Sequence, residues 1–182
     1  MTARTTIAAT PKRCGRRSTG APVAEDLVAA LDAARDDFLD ALADVDADLV
    51  TVPGVMDDWS VRDLVVHVAF WADHATTALD LAASGRGADF AYSGEQTDAM
   101  NAQTLAEGRS ISPAAALQRE DAAFTALRER VASLDPALLG HRLGNGDTVE
   151  EVIRYDGPDH YAEHTAHLRA WFEDDGDADA GP

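Results

Sequence analysis

The chain has 182 residues, 46% of them hydrophobic, with a single cysteine, Cys14; this suits one domain with a substantial core and excludes an internal disulfide framework or a multi-cysteine metal cluster. The net charge of −18 is unevenly spread, because Arg4, Lys12, Arg13, Arg16 and Arg17 make residues 1–20 basic, and removing those five charges leaves −23 for the remainder. A body this acidic repels phosphate backbones, which excludes nucleic acid as the expected partner, and no apolar run approaches the roughly 20 residues that span a bilayer.

In chain order, residues 1–21 are rich in Thr, Arg, Gly and Pro, lack a hydrophobic period, and read as a disordered basic tail. The expected folded unit is residues 22–173. Val23, Leu27, Val28, Leu31, Ala34, Phe38 and Leu42 follow helical spacing and predict a first helix to about Ala43, followed by a loop around Pro53-Gly54. Ser60, with Asp63 three residues on, is a capping-box pattern that starts a second helix running to about Ala83. A weaker helical stretch covers residues 96–107. Ser112-Pro113 then supplies a cap and a first-turn proline for a helix bearing Ala116, Leu117, Phe124, Leu127 and Val131.

Thr148 and Glu151 repeat the capping-box pattern, but Gly157-Pro158 interrupts, so a short helix precedes a last one over residues 159–172. Residues 174–182 read as an acidic disordered tail. With no strand pattern and no repeat, the prediction is an all-α bundle of four main helices, in a protein expected to be cytoplasmic.

His160 and His164 stand one helical turn apart on one face, and His167 lies close to the same line. Two imidazoles so spaced can chelate one ion with a ligand from a facing helix, and His67, set in the apolar run Val65-Val66-His67-Val68-Ala69-Phe70-Trp71, is the candidate. Alone, His67 reads as a core histidine; together with the pair, it completes a three-histidine site with positions open to water or substrate. His74, one heptad on, is a candidate fourth ligand or a partner to one, although an exposed place near the bundle end is the favoured reading. His167 is an alternative to His164, and His141 reads as a loop residue. The segment 160–164 also matches H-x-x-E-H, the inverted zinc-protease pattern with Glu163 as base, but no second protease signature accompanies it.

These pieces resemble the DinB-like superfamily, including the metal-binding bundle of mycothiol-dependent maleylpyruvate isomerases. The resemblance is carried by Trp59-Ser60-Val61-Arg62-Asp63-Leu64-Val65-Val66-His67-Val68-Ala69-Phe70-Trp71, by Asp98-Ala99-Met100-Asn101, and by His160 and His164. It implies an up-down-down-up four-helix bundle with a long crossover over residues 85–112. It also implies a zinc or nickel site at His67, His160 and His164. Residues 168–171, Leu-Arg-Ala-Trp, replace the H-R-G-Q continuation of many DinB proteins, and the chain holds no second domain of the isomerase type. Asn101 is a candidate for the pocket mouth or for a cap, and Trp59 and Trp71 for bundle seams.

The expectation is a divalent-metal-dependent enzyme acting on a small molecule. A low-molecular-weight thiol of the mycothiol or bacillithiol kind is the cosubstrate that the resemblance implies, which points to a thiol transferase. Hydrolysis, a noncatalytic metal- or small-molecule-binding resistance protein, and a helical module with structural histidines are the alternatives. The family also accommodates a homodimer, though no residue here demands one.

Overall fold

The computed structural model describes residues 21–178. The expected basic tail, apart from Ala21, and residues 179–182 lie outside them. The elements are α1 (Ala21–Ala43), β1 (Pro53–Met56), β2 (Trp59–Ser60), α2 (Val61–Ala83), α3 (Gly94–Gly108), α4 (Pro113–Ser133), α5 (Val149–Asp156) and α6 (Pro158–Ala178). The architecture is the predicted all-α bundle, built from α1, α2, α4 and α6.

The helix starts at Ser60, Ser112 and Thr148 follow the local chemistry expected of them, whereas α3 begins ahead of residue 96, at a cap on Ser93 that the sequence analysis does not single out. Ser60, Ser93 and Thr148 each cap a helix through a complete capping box, with Asp63, Gln96 and Glu151 as the reciprocal partners. Ser112 caps α4 ahead of its first-turn proline. The last helix extends past Phe172 to Ala178.

The chain direction of each helix can be read from the ion pairs. On α1 and α4, Asp32 meets Arg128 while Arg35 meets Glu120, so the two run antiparallel. Near the ends of α2 and α4, Asp80 meets Arg130 at 2.6 Å, while Val61 and Val65 near the start of α2 share a small apolar cleft with Pro113 and Ala116, so those two are parallel. Asp37 of α1 pairs with Arg169 of α6, and Leu31 approaches Gly157, which makes α1 and α6 parallel. The order is therefore up-down-down-up. Two parallel neighbours need a long link, and residues 84–112, with α3 inside them, provide it.

Two local expectations are corrected. Residues 53–60, read as loop and helix start, form a two-stranded antiparallel hairpin with Met56 opposite Trp59 and Pro53 opposite Ser60. Strands of four and two residues are too short to show a period of two. Asp57 turns the chain at φ 49, a left-handed conformation that aspartate tolerates better than most residues. On α4, Leu117 is 45% exposed, whereas the core stripe is Ala116, Glu120, Ala123, Phe124, Leu127 and Val131. A carboxylate thus occupies a core position that spacing alone would give to an apolar side chain.

Glu120 is satisfied by its neighbours: Arg35 donates to both its oxygens at 2.8 Å, and the Tyr161 hydroxyl donates at 2.6 Å. Burial and the adjacent Glu120 carboxylate raise the pKa of the Tyr161 phenol, keeping it neutral. The network joins α1, α4 and α6 at the residue that follows His160. Among the described residues, no helix is long and apolar enough to cross a membrane.

Candidate metal centre

Helix α2 is the central element, with contacts to α3, α4, α5 and α6, and it is buried on most of its faces. Helical phase sets His67 among those buried residues, 6% exposed, and sets His164 of α6 opposite it at 3%. The imidazole centres form a triangle: His67–His160 4.9 Å, His67–His164 4.9 Å and His160–His164 4.6 Å. One nitrogen from each ring lies within 4.8 Å of the other two. The three histidines singled out by spacing are thus brought together.

Their electrostatics suit a cation site. Burial lowers the His67 pKa to about 3, with the neighbouring His160 adding to the shift. Burial likewise lowers His160 to about 4, against a backbone hydrogen bond at Tyr155, and lowers His164 to about 2, with His160, His67 and His167 contributing. All three rings are neutral at physiological pH and keep a lone pair to offer. Moreover, among the described residues His67 Nδ1 and His160 Nε2 are buried without a hydrogen-bond partner. Two orphaned imidazole nitrogens in one small space are costly unless something fills their lone pairs. A divalent ion coordinated by nitrogen fits that requirement.

His167 is not part of the triangle. Its Nδ1 lies 3.2 Å from His164 Nδ1, so one ring must donate to the other. With His164 as donor, its Nε2 keeps the free lone pair, the usual way an outer residue fixes a ligand's tautomer. His74 is not at an exposed bundle end. Its Nδ1 lies 2.8 Å from Asp156 Oδ2, and Trp71, Phe90 and Tyr92 pack around the ring. His141 is exposed in a turn, as expected.

A cavity of about 330 Å³ opens beside His67 and His160. Trp71 and Asn101 form part of its wall, joined by a bond from Trp71 Nε1 to Asn101 Oδ1 at 3.2 Å. Asn101 is therefore a wall residue rather than a cap. Trp59 meets the His67 ring edge-to-face at 5.0 Å. Tyr92, Thr97, Tyr155, Asp156 and Glu163 complete the lining. Of these, Tyr92, Thr97, Tyr155 and Asp156 escaped the sequence reading. Asp156 carried a usable signal, since it stands four residues before His160 on the buried side of a short amphipathic helix. A wider groove of about 510 Å³ between α1 and α4 contains no histidine.

The bundle thus brings three inward-facing histidines from two antiparallel helices to the edge of a polar cavity. The match to a family model is specific: residues 31–170 fit the mycothiol maleylpyruvate isomerase N-terminal domain. The chain belongs to that family, which is part of the DinB-like superfamily. Among solved structures, an uncharacterised protein from Escherichia coli UTI89 superposes with a TM-score of 0.71 at 17% identity, covering 84% of this chain and 94% of that one, a likeness of fold. No curated protein matches.

Proposed function

We propose that His67, His160 and His164 hold one divalent ion, zinc or nickel, and that the protein is a thiol transferase using a small thiol of the mycothiol or bacillithiol kind in the cytoplasm. The observation that carries this reading is the pair of buried, unpartnered nitrogens on His67 and His160 within one triangle of neutral imidazoles. Such an ion lowers the pKa of a thiol or water, making a nucleophile available at neutral pH.

The chain's own residues do the rest. Three ligands leave room for a further donor, and the cavity lies on the side of His67 and His160 where it would enter. Trp59 and Trp71 cover the rings with apolar surface and limit water. The Trp71–Asn101 bond ties the cavity wall to α3, so the crossover residues shape the site.

The test is to load the chain with cobalt and titrate it with 2-mercaptoethanol. A thiolate-to-cobalt charge-transfer band at neutral pH, absent in His67→Ala, supports the reading. A loaded chain that shows no such band overturns the thiol chemistry and leaves a noncatalytic metal-binding bundle.

A further inference from the structure

The geometry points to an ammonium-bearing small molecule, rather than an anionic acid such as maleylpyruvate, as the ligand of the cavity beside the histidine triangle. The inference rests on the reading of that triangle as a thiol-binding metal site and concerns what the rest of the cavity selects.

The described residues contain ten arginines and no lysine, and none of the ten lines this cavity. Eight are paired with carboxylates: Arg35 with Glu120 and Asp121, Arg62 with Asp63, Arg86 with Asp89, Arg119 with Glu107, Arg128 with Asp32, Arg130 with Asp80, Arg154 with Glu150 and Arg169 with Asp37. The other two donate to backbone carbonyls, Arg109 to Asp58 and Arg142 to Gly146. A carboxylate entering beside a thiol-bound ion would thus find no arginine in the lining to take it in bidentate fashion.

The lining offers the opposite complement. Asp156, 2% exposed, gives one oxygen to His74 and stands in the cavity wall, and Glu163 stands at its exposed side. Trp71 and Tyr92 add aromatic faces, which attract cations. His67, 94% buried and with Nδ1 unpartnered among the described residues, lines the same cavity. An occupant that reaches the triangle through its thiol and carries a positive group meets Asp156 or Glu163 in the same lining.

Three two-carbon thiols that differ only in their far end make the test: 2-mercaptoethyl-trimethylammonium, 2-mercaptoethanol and 2-mercaptoethanesulfonate. Neither charged end ligates a metal strongly, so the cobalt band of the loaded protein reports thiol binding in each case. Thiol acidity and the acidic surface of the whole chain also affect affinity. The deciding quantity is therefore how the sulfonate-to-ammonium ratio of dissociation constants changes on substitution.

Glu163→Gln, at an exposed position that does not threaten folding, should reduce that ratio, and Glu163→Gln with Asp156→Asn should reduce it about tenfold, because attraction and repulsion are lost together. A ratio unchanged in both variants, or a sulfonate that binds more tightly than the ammonium in the natural chain, overturns the inference. Absence of the band with all three thiols overturns the thiol reading beneath it, a failure visible before any ratio is taken.

Discussion

Replacing Glu120 with alanine removes a carboxylate that is 1% exposed and serves two donors at once. The loss leaves the Tyr161 hydroxyl, in a fully buried residue, without its 2.6 Å acceptor, and it leaves Arg35, 15% exposed, with only Asp121 and the Phe124 ring beneath it. Breaking a buried pair in this way costs about 3–5 kcal/mol. Because Arg35 keeps some solvent and a second carboxylate at 2.8 Å, the lower end, about 3 kcal/mol, is expected. For a domain of this size that lowers Tm by roughly 6–12 °C. Tyr161→Phe removes only the hydroxyl and should cost about 1 kcal/mol. Urea unfolding of both single variants and the double variant gives the coupling between them, and the double should cost less than the sum of the two singles because the two side chains share one bond. Tyr161 lies between His160 and His164 on α6, so metal affinity should fall along with stability. A Glu120→Ala protein within about 0.5 kcal/mol of the natural chain would refute the claim that this network joins α6 firmly to α1 and α4.

His167→Phe should lower metal affinity about 10–100-fold while leaving all three ligands in place, because His164 loses the ring that orients it; competition with a chromophoric chelator measures this, and an unchanged affinity would remove His167 from the site. Burial pushes the Asp156 pKa up to about 6 from the ordinary aspartate value of 3.8, against the pull of His74. The folded state therefore binds more protons than the unfolded chain between those values, and this residue's contribution, full below the lower one, is lost as pH rises through the upper one. Stability of the natural chain should accordingly fall relative to Asp156→Asn as pH rises from about 4 to 6, and parallel urea midpoints across that window would contradict the assignment.

The helices were legible because their signals are local. Ser60, Ser112 and Thr148 sit where the chain leaves extended backbone, and their capping amides stand at fixed offsets. The triangle was legible for a related reason: a one-turn spacing on α6 and a lone imidazole in the apolar run of α2 require only helical phase to converge. The cavity wall was harder, since Tyr92, Thr97, Tyr155 and Asp156 come from three segments whose meeting depends on how the crossover folds back over α2. Glu120 was hidden differently. Its place in an apolar stripe is visible in the sequence, but its meaning depends on Arg35, 85 residues away. His74 was misplaced because heptad spacing gives a face and says nothing of the Asp156 carboxylate that α5 brings to it.

The central claim is that His67, His160 and His164 together hold one ion. Metal content by mass spectrometry, on untagged protein purified without chelator, tests it directly when His67→Ala, His160→Ala and His164→Ala are measured beside the natural chain with circular dichroism as a check on folding. The account predicts about one zinc or nickel per natural chain and loss of it in each variant that retains helix. A natural chain that takes up no metal even after reconstitution, or folded variants that keep it, would contradict the account.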